Sequence, residues 1–188
     1  MTDIHSTAIV ADGARIGSKV RIGAFSIIGP EVVLEDRVVI DAHVVIEGRT
    51  QIGAGCRIHT FAVIGGAPQD LSYRGESTAV EIGPNCVIRE HVTVHRGTAR
   101  GRKVTKIGAD CYLMVGAHVA HDCDVGNHVI LVNNVGLGGH VQVGERAILS
   151  GYSGAQQHAR IGAHAFIGAH TLVVTDVIPF ASAIGHRA

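Results

Sequence analysis

Tryptophan is absent from the 188 residues, and only three tyrosines and four phenylalanines are present. A core without large rings must fill its space by other means. Charge of one sign is not in excess either: 16 Lys and Arg balance 16 Asp and Glu. Nucleic-acid binders usually carry a basic surplus, so the balance argues against that class and predicts no nucleic-acid partner. No run of about 18 apolar residues occurs, so no transmembrane segment is expected. The opening Met1-Thr2-Asp3-Ile4-His5 has neither a basic nor an apolar leader region, and no secretory signal is expected. The four cysteines, Cys56, Cys86, Cys111 and Cys123, form no Cys-x-x-Cys pair.

What the chain has instead is 25 glycines and a period of six. Steps of six from Ile4 reach Val10, Ile16, Ile22 and onward to Ile64, then Ile82, Ile88 and Val94. After one phase shift they run from Ile107 to Val173. All 26 positions are apolar in a chain that is 46% hydrophobic, where an arbitrary register would fail about every second step. Glycine follows the aliphatic residue at twelve of these positions, which suggests a corner with unusual backbone angles. Each cysteine stands four places after a register residue, as a small core filler. A period of six suits neither an amphipathic helix nor a hairpin sheet. It suits short parallel strands joined by tight corners, three to a coil, in a solenoid of about nine coils. Residues 18 apart then stack about 4.8 Å apart.

Two polar segments interrupt the repeat and read as surface loops. Residues 66–80 place Asp70 and Glu76 where an aliphatic residue belongs. Residues 95–106 shift the phase and carry Arg96, Arg100, Arg102, Lys103 and Lys106 with no acid. Those cations suit phosphates or an acidic protein, and equally suit solvent. The pattern decays after Val173, so residues 1–178 are assigned to the solenoid and 179–188 to a C-terminal tail.

Thirteen histidines are many for this length. His5, His43, His59, His128, His164, His170 and His186 stand alone and read as exposed corner or face residues. His118, His121 and Asp122 cluster within five residues. Stacking by 18 places Asp122, His140 and His158 in one column, and His121, Gly139 and Gln157 in the next. An imidazole beside a glycine has open space and a backbone N–H nearby, which suits a general base next to an oxyanion donor. A polar ladder on a solvated face is the plain alternative. A zinc site of His118, His121 and His140 is another, similar to that of γ-class carbonic anhydrases.

The strings Gln69-Asp70-Leu71-x-Tyr73-x-Gly75-Glu76, Arg89-Glu90-x-Val92-Thr93-x-His95-Arg96-Gly97-Thr98, His118-x-Ala120-His121-Asp122-Cys123 and Asn133-Asn134…Gly139-His140-Val141 resemble those of the acyl-[acyl-carrier-protein]–UDP-N-acetylglucosamine O-acyltransferase family. The resemblance runs in one register from about Ile4 to Ala188. It implies an all-β fold, a left-handed parallel β-helix, and the first step of lipid A biosynthesis. It implies a catalytic set in which His121 is the general base, Asp122 orients it and the Gly139 N–H stabilises the oxyanion. Gln69, Asp70, His95, His118, His140 and Gln157 match substrate-binding positions, and Ala169 matches the position whose bulk sets acyl-chain length. It implies acyl carrier protein and UDP-N-acetylglucosamine as partners, a homotrimer, a cytoplasmic location, and neither metal nor cofactor. Ser72 and Gln156 depart from the family's lysine and histidine. Family members also continue beyond the position of Ala188. Another hexapeptide acyl- or acetyltransferase, a metal hydratase and a non-catalytic binding relative are the alternatives.

Overall fold

The computed structural model describes residues 1–185. His186 and the other two residues at the end of the expected tail lie outside them. The chain forms three parallel sheets of ten, nine and eight short strands. Each coil visits the ten-strand sheet (Asp3–Ile4 to Ser182–Ala183), then the nine-strand sheet (Ile9–Val10 to Leu172–Val173), then the eight-strand sheet (Arg15–Ile16 to Arg160–Ile161). This is the left-handed parallel β-helix that the resemblance implies. No described helix is long and apolar enough to cross a membrane. The final strand, Ser182–Ala183, pairs with Phe166–Ile167, so sheet hydrogen bonds continue past residue 178.

The hexad explains each strand. In Arg21–Ile22 and its equivalents the first side chain faces out and the second is buried, because neighbouring residues of a strand point to opposite faces. The inward residues stack into columns: Ile22 on Ile40, Ile40 on Ile58, Ile58 on Ile88. These columns and a row of small residues form one continuous core in which Ile28, Ile46, Ile64 and Leu131 are completely buried. All four cysteines lie in the small row, free and buried. Each thiol donates, at 3.1 Å, to the carbonyl of a glycine in the next coil: Cys56 to Gly83, Cys86 to Gly108, Cys111 to Gly126 and Cys123 to Gly138.

The glycines after the aliphatic residue have a different cause from the one expected. Of the twelve, only Gly65 has a left-handed backbone. At nine of the others, Gly29 and Gly168 excepted, the next coil approaches too closely for a side chain. A Cβ at Gly23 would lie 2.6 Å from the Asp41 carbonyl carbon, and one at Gly83 would lie 2.7 Å from the Ala109 nitrogen. The left-handed turn comes two residues later, at Lys19, Phe25, Arg37, His43, Asn85, Asp122, Asn134, His140 and His158, with φ between 57° and 70°. Such a backbone costs an ordinary side chain about 1 kcal/mol, and Asn, Asp and His tolerate it best. This is why the chain is rich in histidine: His43, His91, His128, His140, His158, His164 and His170 all occupy these corners.

The first interruption also differs from expectation. Arg57 pairs with Val87, an offset of 30, whereas undisturbed coils pair at 18, as in Ile130 with Ile148. Asp70 and Glu76 therefore occupy no rung; they belong to a loop between strands Val63–Gly66 and Ala79–Ile82. The second loop lies between Thr93–His95 and Val104–Ile107. Both leave the solenoid at the corner between the nine- and eight-strand sheets. The next coils place His121 and Asp122, Gly139 and His140, and Gln157 and His158 at that same corner.

Candidate active site

The stacking by 18 holds at this corner. His140 N–H donates to the His121 carbonyl at 2.9 Å, and His158 N–H to the Gly139 carbonyl at 3.0 Å. The Asp122, His140 and His158 column is therefore real, with the His140 and His158 rings stacked at 4.5 Å. His121 turns the other way. Its ring covers Gly139 so closely that a Cβ there would lie 2.5 Å from Cε1 and 2.6 Å from Nε2. The bare glycine is what gives the imidazole its place.

His121 is 8% exposed and Asp122 is completely buried. Nδ1 of His121 lies 3.0 Å from Oδ2 of Asp122. A carboxylate accepts there, so Nδ1 carries the hydrogen and Nε2 keeps its lone pair. The backbone N–H of Gly139 has no acceptor among the described residues. At the equivalent place in three other coils a side chain caps this N–H, Asp36 at Ser18, Glu35 at Ala54 and Asn127 at Ala109, whereas Ala24 and Ala163 share the uncapped state of Gly139. A base with a free lone pair thus adjoins an uncapped backbone donor.

Two more histidines flank this pair on the outer face of the nine-strand sheet. His118 Nδ1 is 2.7 Å from Thr93 Oγ1, and the rings of His95 and His118 meet edge to face at 4.9 Å. Burial and the neighbouring His118 and His121 hold the pKa of His95 down to about 4. Burial also lowers His118 and His140. All three imidazoles favour the neutral form, in which a ring nitrogen can accept as well as donate. Asp70 accepts at 2.7 Å from the Ser72 N–H within the first loop. That bond, with Ser72's side chain and then the fields of His121 and Arg100, lowers its pKa.

Other expected residues sit further out. Gln69 is exposed on the first loop. Gln157 is exposed on the coil beyond Gly139, 3.4 Å from His158 Nε2. Ala169 is exposed at the opposite edge of the nine-strand sheet, just before strand Leu172–Val173. The zinc triad is not assembled: the cluster within mutual reach is His121, Asp122 and His140, and His118 turns toward Thr93 instead. No cysteine is an available nucleophile here, since burial pushes the Cys123 thiol up to about 12.

The basic loop is largely spent on the protein itself. Arg96 reaches back to the Gly65 carbonyl and donates to the Tyr73 hydroxyl at 3.1 Å, latching both loops together. Arg102 pairs with Asp124, and Lys106 with Glu81. Of the five cations in this loop, Arg100 and Lys103 have neither an ionic nor a side-chain hydrogen-bond partner among the described residues. Residue order assigns no role to Thr93, Thr98 or Thr105, although the first two lie inside the family-like strings. Nothing local marks a buried threonine as different from a surface one.

Comparison with known proteins agrees with this architecture. The bacterial transferase hexapeptide family (six repeats) matches residues 31–66 and 105–139, and the hexapeptide repeat of succinyl-transferase matches 13–48. Among solved structures the chain is similar to LpxA from Acinetobacter baumannii, with 47% identity and a TM-score of 0.92 over 93% of this chain and 67% of that one. It is similar to the UDP-N-acetylglucosamine acyltransferase of Francisella novicida, with 41% identity and a TM-score of 0.94 over 96% and 67% of the two chains. For the enzyme of Campylobacter jejuni the values are 35% and 0.93, over 96% and 70%. Identity of this order over more than nine tenths of the chain is more than a shared solenoid would give, and the chain belongs to the UDP-N-acetylglucosamine acyltransferase family.

Proposed function

We propose that this chain transfers an acyl or hydroxyacyl group from an acyl carrier protein thioester to the 3-hydroxyl of UDP-N-acetylglucosamine, the first step of lipid A biosynthesis. His121 Nε2 takes the proton of the sugar hydroxyl as its oxygen attacks the thioester carbonyl. The Gly139 N–H receives the resulting oxyanion. Collapse breaks the carbon–sulfur bond, and the departing thiolate takes back the proton from His121. Asp122 keeps the imidazole in the tautomer that this needs. The carrying observation is the contact between the His121 ring and the uncapped Gly139.

Asp70, His95, His118 and His140 line the approach to the base and suit the hydroxyls and phosphates of a sugar nucleotide. Gln69 and Gln157 stand at the two ends of that approach. Beyond His118 the outer face of the nine-strand sheet is bare at Gly136 and Gly154, a lane for an apolar chain. Ala169 flanks its far edge, and a larger residue there shortens the chain accepted. Arg100 and Lys103 are free to meet an acidic carrier protein. Outward Ile148 and Phe166 on one sheet and Ile9 and Ile27 on another, all exposed, give faces for neighbouring copies in a homotrimer. The reaction takes place in the cytoplasm and uses no metal or cofactor.

The test is incubation with UDP-N-acetylglucosamine and a series of hydroxyacyl carrier proteins, with product read by mass. His121→Ala should remove turnover with the circular dichroism spectrum unchanged. Product formed equally well by that variant would refute the assignment. Transfer from coenzyme A thioesters but not carrier-protein thioesters would point to a different hexapeptide acyltransferase.

A further inference from the structure

We infer that Thr98 is a positioning residue for the reaction, acting on His121 through the carboxylate of Asp122. The inference rests on His121 being the base. Asp122 occupies a left-handed corner, φ 60°, as do His140 and His158 above it. On the regular solenoid such a corner meets solvent: His158 is exposed and the His140 side chain is 23% exposed. Asp122 is 0% exposed because the second loop folds over it. Gly97 and Gly101 lie flat against the carboxylate, and a Cβ on Gly101 would collide with its carbon and both oxygens. Between these glycines Thr98, 4% exposed, gives two hydrogen bonds to one oxygen. Its N–H donates to Oδ2 at 3.0 Å and its hydroxyl donates to Oδ2 at 2.7 Å. Thr105 Oγ1 accepts from the Asp122 N–H at 2.8 Å and fixes the backbone.

Oδ2 is the oxygen that faces His121 Nδ1. Oδ1 is buried and has no hydrogen-bond partner among the described residues. The carboxylate is thus held by one oxygen alone, and the donors on that oxygen are Thr98 and His121. Without the Thr98 hydroxyl, the carboxylate is held only by the Thr98 backbone N–H, by packing and by the imidazole that it has to orient. Dehydrating a carboxylate is costly unless donors replace the lost water. The insertion that breaks the repeat therefore excludes water from one carboxylate and aims it at one imidazole.

The test compares Thr98→Val, which keeps the shape and the backbone donor, with Thr98→Ser, which keeps the hydroxyl. Kinetics are measured on the full chain, alone and combined with Asp122→Ala. For Thr98→Val, kcat should fall about 10- to 100-fold with KM nearly unchanged, the loss expected for one hydrogen bond to a charged group. Thr98→Ser should recover most of it. In the Asp122→Ala background, Thr98→Val should cause no further loss, because its effect passes through that carboxylate. Three results overturn the inference: full kcat in Thr98→Val, a rise in KM alone, or an equal further loss in the Asp122→Ala background. Failure of the underlying reading is distinguishable, because then wild type and His121→Ala turn over alike.

Discussion

The imidazole of His121 occupies the volume that a side chain on residue 139 would need, with Nε2 only 2.6 Å from where that Cβ would stand. One coil supplies the base and the next supplies its seat and an unused N–H. Gly139→Ala should therefore push the ring off its position against Asp122. The expected result is a fall in kcat of about 100-fold or more, with the melting temperature within a few degrees of wild type. Steady-state kinetics beside a thermal melt checks this. An alanine variant at full kcat would show that the contact is dispensable.

The glycines of the repeat divide into crowded and open ones, and the two kinds should respond oppositely. At Gly83 a Cβ meets the backbone of Gly108 and Ala109, and neither side can yield. Gly83→Ala should destabilise by about 1–3 kcal/mol. At Gly136 nothing lies within 4 Å, so Gly136→Ala should be neutral or stabilise by up to about 1 kcal/mol through the unfolded state. Urea midpoints of the two variants decide the matter, and equal losses would sink the distinction.

Acid should weaken the fold through His95. Its pKa in the folded protein is about 4, against an ordinary 6.5. Between those values the unfolded chain binds the extra proton and the folded chain does not, so stability rises with pH across that window. The contribution is present above about pH 6.5 and lost as pH falls toward 4. Burial lowers His118 and His140 in the same sense. Urea melts at pH 7 and pH 5 should show this loss, and His95→Gln should reduce it. A pH dependence unchanged by that substitution would assign the effect elsewhere.

Arg96 holds the two loops to the solenoid from a single guanidinium. It bonds the Gly65 carbonyl and the Tyr73 hydroxyl, and its carbon lies 5.9 Å from the centre of the Tyr73 ring. Arg96→Met should keep the aliphatic packing and release the first loop. Limited proteolysis should then cut within residues 67–78 faster, and KM for the sugar nucleotide should rise because Asp70 rides on that loop. Unchanged cleavage would mean that the loop is held by other contacts.

The columns and their consequences are legible from residue order alone, and the histidine corner shows why. In a solenoid, a sequence offset of 18 is a spatial neighbour, so counting brings together Asp122, His140 and His158, and likewise His121 and Gly139. The cysteines follow from the same count. The reason for the repeated glycines does not, because a period marks a position without saying whether backbone angle or close approach demands it. Nor do the loops: two insertions of unequal length erase the count where they occur, which is why counting puts Asp70 and Glu76 at core positions that they do not occupy.

Repetition is local, so the residue order by itself determined the prism, its aliphatic columns and the placing of a base beside a bare rung. Tertiary structure alone decided that both insertions leave by one corner, that Arg96, Arg102 and Lys106 are consumed internally, and that Thr98 covers the carboxylate of Asp122. Those contacts join residues whose separations obey no period. They are set by how two irregular loops fill the space over a corner, a matter of shape and hydrogen-bond geometry that no repeat encodes.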